Sequence, residues 1–173
     1  MTPNSAEETS SSDLLELTAK VKVTTSFMKK IVLIGKSGCG KTTLCQRIFK
    51  EELEYKKTQS VEVVGGSAID TPGEYMEHKQ YYKALVVTAV EADLVVMVQS
   101  GDDTEWTFSP RINSMFNKPM IGVITKMDMH PEEWKINDIE DLMRFAGAEK
   151  VFRVSAMTGE GIRNLTDFLG EEE

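Results

Sequence analysis

Cysteine is almost missing from this 173-residue chain; Cys39 and Cys45 are the only two. They stand six positions apart with no second pair, which suits neither a zinc site nor a disulfide framework. They read as two reduced thiols of a cytoplasmic protein. Long hydrophobic runs are lacking as well, and no stretch approaches the roughly 18 consecutive apolar residues of a membrane helix. No membrane span is expected. Basic residues are the third shortage, 20 Lys and Arg against 28 Asp and Glu, a net charge of −8. Without a broad basic surface the chain is not expected to hold a nucleic-acid backbone, and any polyanionic ligand must be held locally. The remaining composition, 40% apolar and 28% charged, is that of one globular domain with a sizeable core.

The opening residues, Met1 to Asp13, are rich in Ser, Thr, Asn and Glu and offer almost nothing to bury, so they read as a disordered tail. Leu14 to Phe27 reads two ways. Leu15, Leu17, Ala19, Val21 and Val23 alternate like a half-buried strand, whereas Asp13 and Glu16 sit at the capping-box spacing of a helix. Residues 1–27 are therefore taken as an N-terminal extension, and the folded domain as residues 28–173.

Within that domain, Ile31 to Ile34 is a short apolar run that ends at a glycine, the pattern of a buried parallel strand. A helical pattern follows Gly40 as far as about Glu52. Val61 to Val64 and Ser67 to Ile69 form a hairpin around Gly65-Gly66. A helix at Tyr81 to Ala92, strands at Leu94 to Val98 and Ile121 to Ile124, a helix at Pro131 to Phe145, a strand at Val151 to Val154 and a helix at Ile162 to Leu169 complete the series. Strands alternating with helices imply an α/β fold, a three-layer sandwich whose mostly parallel sheet is covered on both faces.

Gly35-Lys36-Ser37-Gly38-Cys39-Gly40-Lys41-Thr42 matches G-x-x-x-x-G-K-[ST] and lies between a strand and a helix. The glycines let backbone N–H groups wrap a β-phosphate, and the helix start adds its positive dipole end. Lys41 is placed to reach the β- and γ-phosphates, Thr42 to offer its hydroxyl to Mg²⁺, and Thr43 joins the nucleotide-contacting set. This is a P-loop NTPase signature.

Asp70-Thr71-Pro72-Gly73 follows the hairpin. Asp70 can hold Mg²⁺ through water, and the Gly73 N–H can meet a γ-phosphate and disengage on its loss. Thr125-Lys126-Met127-Asp128 follows the strand at Ile121. A carboxylate at Asp128 can accept from both the ring N–H and the exocyclic amine of guanine, donors that adenine does not present together, while the Lys126 stem can lie over base and ribose. Ser155-Ala156, after the next strand, offers a backbone N–H toward guanine O6.

These four motifs, each at a strand's end, resemble the small GTPase superfamily over about Met28 to Leu169. The resemblance implies GTP or GDP with Mg²⁺ as cofactors. It makes Thr58 the switch-one threonine that caps Mg²⁺, beside the metal contacts of Thr42 and Asp70, and casts Lys41, Gly73 and Glu74 as the catalytic set. A closer similarity, to the EutP/PduV family, rests on Met28 to Ile31, Gly40 to Leu44, Lys57-Thr58-Gln59, Ile69 to Tyr75 and Tyr81 to Leu85. It implies an accessory GTPase-like protein of ethanolamine or propanediol utilisation, associated with a bacterial microcompartment whose shell the N-terminal segment would meet. It also implies an alternative, an ATP-dependent acetate kinase on the same P-loop, and a third reading is a non-catalytic nucleotide-bound docking module. Thr125 to Asp128 favours guanine over ATP.

Three features depart from signalling GTPases. Thr58 and Asp70 are only twelve residues apart, which clips the hairpin between them and leaves less surface for an effector. Glu74 stands where many GTPases carry a water-orienting glutamine and Ser37 would crowd an arginine finger, and these two point to slow hydrolysis. Gly38 replaces the asparagine of potassium-activated GTPases. Lys56 and Lys57 read as a solvated run, His78 and His130 as surface residues, and Trp106 and Phe108 as local packing.

Overall fold

Alternate residues of the central strands are sorted into two separate apolar clusters, which is the period of two that a sheet covered on both faces demands. Val32, Ile34, Val95, Met97, Met120 and Ile124 belong to one cluster; Ile31, Leu33, Leu94, Val96, Val98, Ile121 and Val123 belong to the other. The computed structural model describes residues 28–49 and 59–170. The extension at 1–27, Thr58, Lys56, Lys57 and the last three residues lie outside the described residues, as does the helical pattern beyond Phe49.

Six strands, β1 (Ile31–Ile34), β2 (Glu62–Val64), β3 (Ala68–Asp70), β4 (Leu94–Ser100), β5 (Met120–Thr125) and β6 (Val151–Arg153), form one sheet in the order β2-β3-β1-β4-β5-β6. All neighbours are parallel except β2 and β3, an antiparallel hairpin at one edge. Its turn needs left-handed backbone at both central positions, and Gly65 and Gly66 supply it with φ of 57° and 75°. One face is covered by α1 (Lys41–Ile48) and α5 (Ile162–Gly170) through Leu44, Cys45, Ile48, Leu165 and Leu169. The other is covered by α2 (Glu74–Glu77), α3 (Tyr82–Ala89) and α4 (Glu133–Ala146) through Met76, Leu85, Ala89, Ile136, Ile139, Met143 and Ala146. The three-layer sandwich expected from the sequence is the fold observed. Among the described residues no helix is long and apolar enough to cross a membrane.

Some boundaries differ. Strand β4 runs two residues past Val98, because Gln99 and Ser100 are as buried as the apolar residues before them. Their polar groups are satisfied locally: Gln99 Nε2 donates to the Glu105 carbonyl at 3.0 Å, and the Ser100 hydroxyl bonds Asp102. Helix α4 begins after Pro131, with extended Glu132 as its cap, and ends at Gly147, whose φ of 113° is the left-handed conformation that closes a helix. It is fastened to β6 by Arg153, which donates to Glu140 at 2.5 Å, Glu133 at 2.6 Å and Asn137 at 3.0 Å.

Candidate functional site

The four nucleotide motifs arrive at one end of the sheet, the carboxyl ends of β1, β3, β5 and β6, where ligands bind in open α/β sheets. The β1 end continues into the glycine loop. Its first glycine is fixed by proximity: a Cβ on Gly35 would lie 2.3 Å from the Val98 carbonyl oxygen of β4. Gly40 caps α1 in the left-handed region at φ 96°, and Gly38 shares that region at φ 77°. The loop therefore turns sharply and delivers its chain to the start of α1.

Lys41 is folded back into the loop and largely buried. Its Nζ donates to the carbonyls of Gly35 at 2.7 Å and Lys36 at 2.9 Å. The ammonium thus sits in the concavity of the loop, held by the loop's own backbone. The Cys39 side chain is turned into the core, where its Sγ lies 3.8 Å from the Lys41 Nζ and burial pushes its thiol pKa up. Thr42 Oγ1 donates to Asp70 Oδ2 at 2.5 Å, and Asp70 is fully buried at the end of β3. A hydroxyl and a carboxylate in contact are hard oxygen donors of the kind Mg²⁺ takes while keeping most of its waters. The donor set fits that ion, and among the described residues no cluster of three or more His, Cys, Asp or Glu offers a denser metal site.

The β5 end supplies a second group. Thr125 Oγ1 donates to the Cys39 carbonyl at 2.6 Å, which ties this strand end to the glycine loop and commits the threonine hydroxyl to the backbone. Lys126 follows in the left-handed region at φ 60°, with its ammonium 3.4 Å from Asp102. The Ser100 hydroxyl first, and the Lys126 charge after it, hold the Asp102 carboxyl below the usual carboxylate range against its partial burial. Asp128 accepts the Ser155 hydroxyl proton at 2.6 Å, joining the ends of β5 and β6. The Ser155 N–H is spent on the Glu160 carbonyl at 2.9 Å, so the N–H presented to the site is that of Ala156. Gly40, Thr43, Thr125, Lys126, Asp128 and Ala156 line a cavity of about 240 Å³, completed by the exposed methionines Met129 and Met157. Its size and its carboxylate suit a planar ring that offers two donors on one edge.

The opposite end of the loop is acidic. Lys36 is paired with Asp103 at 2.7 Å and stands 3.8 Å from Glu105. The Asp103 hydrogen bond raises the Lys36 pKa; burial pushes Asp103 up, and the Lys36 hydrogen bond and charge together with the Glu105 and Thr104 backbone hydrogen bonds hold it below the normal range. Gly73 lies against the loop, where a Cβ would come 2.1 Å from the Ser37 nitrogen. Glu77 Oε1 accepts the Ser37 N–H at 2.8 Å. Sequence reading singled out Glu74, three residues earlier and partly buried, and missed Glu77, Asp102 and Asp103. Of the expected site residues, only Thr58 is outside the described residues. Lys41, Thr42, Asp70 and Gly73 come together around the loop, while Thr125, Lys126, Asp128, Ser155 and Ala156 come together at its other end.

A family model described as "Ethanolamine utilisation - propanediol utilisation" (PduV-EutP) matches residues 28–171. The chain is 42% identical over 146 residues to "Propanediol utilization protein PduV" of Citrobacter freundii, covering 84% of this chain and 96% of that protein. It is 32% identical over 143 residues to "Probable acetate kinase EutP" of Escherichia coli (strain K12), covering 82% and 89%. Among solved structures, bacterial selenocysteine-specific elongation factor EF-Sec superposes with a TM-score of 0.60 at 20% identity over 81% of this chain, a likeness of fold. The match spans 28% of the EF-Sec chain.

Proposed function

The chain belongs to the ethanolamine utilisation and propanediol utilisation family (PduV-EutP), and from that premise we propose that it is a GTP-binding, slowly GTP-hydrolysing accessory protein of that metabolism. The observation that carries the guanine reading is the Asp128 carboxylate. It is anchored by Ser155 at 2.6 Å and lines a ring-sized cavity at the β5 and β6 ends. One carboxylate oxygen is engaged by Ser155, and the group retains acceptor capacity for the two donors on the guanine edge. The Ala156 N–H is the donor for O6, and the Lys126 stem and Met129 flank the ring. Lys41 and the loop N–H groups receive the phosphates, and Mg²⁺ held through Thr42 and Asp70 would neutralise developing phosphate charge.

Slow hydrolysis is supported by what surrounds Lys36. Its ammonium is committed to Asp103 and Glu105, and Glu77 adds a third carboxylate close by. That leaves the charge around the terminal-phosphate end on balance acidic, whereas fast hydrolysis needs added cationic stabilisation there. In the reaction a water oxygen attacks the γ-phosphorus, the bond to the β,γ-bridging oxygen breaks, and GDP, inorganic phosphate and a proton leave. Glu74, at the start of α2, is the residue assigned to this water. Residues 1–27 we assign to docking on a microcompartment shell.

A second reading, phosphoryl transfer from ATP to acetate, is favoured by one feature. A cavity of about 590 Å³ lined by Lys36, Glu77, Lys79, Tyr82, Thr107 and Ser109 among others adjoins the same end of the loop and has room for an acceptor. A product assay separates the two. With GTP and Mg²⁺ the protein is expected to release inorganic phosphate slowly, at a rate that acetate does not change. Acetyl phosphate appearing from ATP and acetate would transfer the assignment to the kinase reading.

A further inference from the structure

The site has a direction. Its ring-sized cavity lies at Gly40, Thr43, Lys126 and Asp128, the Thr42–Asp70 pair lies along α1 and β3, and Lys36, Ser37 and Gly73 form the other end. A nucleotide with its base in the cavity and its phosphates along the loop therefore brings its third phosphate toward Ser37 and Gly73. Two backbones nearly touch there: a Cβ on Gly73 would fall 2.1 Å from the Ser37 nitrogen and 2.4 Å from its Cα.

Gly73 opens the single turn α2. Buried Met76 anchors that turn to the core, and Tyr75 stacks on Tyr81 with ring centroids 5.4 Å apart. Helical side chains lean toward the N-terminus of their helix, so Glu77, one turn beyond Gly73, reaches back to the loop. Its carboxylate accepts the Ser37 N–H at 2.8 Å. This donor belongs to a loop whose N–H groups serve to receive phosphate, and a charged acceptor makes the bond stronger than a neutral one.

A terminal phosphate and the Glu77 carboxylate are both anions, and they repel each other at contact distance. Lys36, whose charge reaches Glu77, is already committed to Asp103 and Glu105, so its screening is shared among three carboxylates. Glu77 is exposed, which lets its side chain swing into water without leaving a buried charge behind. A diphosphate ends short of Ser37 and leaves the contact intact. A triphosphate does not.

We propose that Glu77 is a latch on the terminal-phosphate end of the site: it holds α2 against the loop with diphosphate bound and is expelled by the third phosphate, so that it sets the preference between di- and triphosphate and couples it to the position of α2. The inference rests on the nucleotide reading given above.

The test compares full-length wild type, Glu77→Gln and Glu77→Ala by fluorescence titration with labelled GDP and GTP in Mg²⁺. The amide of the glutamine keeps an acceptor for Ser37 N–H and removes only the charge. Both variants are expected to raise the ratio of triphosphate to diphosphate affinity by roughly three- to fivefold, the upper end of what an exposed charge interaction contributes. Wild type that binds both nucleotides, with a ratio unchanged within twofold in Glu77→Gln and Glu77→Ala, would overturn the latch and leave the site reading standing. Wild type that binds neither nucleotide would remove the site reading and the latch together.

Discussion

Lys41→Ala should weaken GTP binding by more than a hundredfold. The lysine Nζ lies 2.7 and 2.9 Å from the Gly35 and Lys36 carbonyls, inside the curve of the loop, where it is poised to exchange those carbonyls for phosphate oxygens. Hydrogen bonds to charged groups contribute about 1.5–3 kcal/mol each. Losing two of them exceeds two orders of magnitude in affinity. The structure adds a second consequence that the sequence motif alone does not contain. Because the same ammonium satisfies two loop carbonyls, its removal should also lower stability by about 1–3 kcal/mol. Titration calorimetry with GTP and a thermal melt of the variant check both; wild-type affinity in a folded Lys41→Ala protein would remove the loop from the binding site.

Asp128→Asn should exchange one base for another. Ser155 donates its hydroxyl proton to Asp128 at 2.6 Å, and asparagine can keep that bond only by turning its amide oxygen toward Ser155. Its N–H₂ then faces the cavity and meets the guanine donors with a donor. Unpaired buried polar groups cost about 1–3 kcal/mol each, so GTP affinity should fall by one to two orders of magnitude. Xanthine carries a carbonyl where guanine carries its amine and gives the asparagine N–H₂ a partner. Competition binding of GTP and xanthosine triphosphate to both proteins measures the exchange. The variant is expected to prefer the xanthine nucleotide, and an unchanged GTP affinity would separate Asp128 from base recognition.

How much of this could be read from the residues differs between parts of the molecule for physical reasons. Strands β1 and β5 are buried along their whole length, so they appear as continuous apolar runs, and the glycine loop and Asp128 follow them directly. Asp70 and Ser155 follow the three-residue strands β3 and β6, and were legible through their motifs rather than through a long apolar run. The two residues that extend β4, Gln99 and Ser100, are buried but polar, and hydrophobicity alone ends the strand at Val98. The pairing of Asp103 with Lys36 spans 67 positions and depends on where the longer strand delivers the loop that follows it. Glu77 was missed because α2 is one turn long, too short for any periodicity to show which face it presents. Glu74 drew notice through its place in a motif, whereas the contact that places Glu77 on Ser37 depends on the Gly73 backbone lying against the loop. Met129 and Met157, scattered in the sequence among ten methionines, acquire a role only where the β5 and β6 ends converge on one cavity.

The central claim is that this P-loop site is built for guanine, and the affinities of wild-type full-length protein for GTP and ATP, measured side by side in Mg²⁺, test it most directly. A site in which Asp128 pairs with two guanine donors, and meets only one donor on the adenine edge, predicts a preference for GTP of a hundredfold or more. Equal affinities, or tighter binding of ATP, would contradict it.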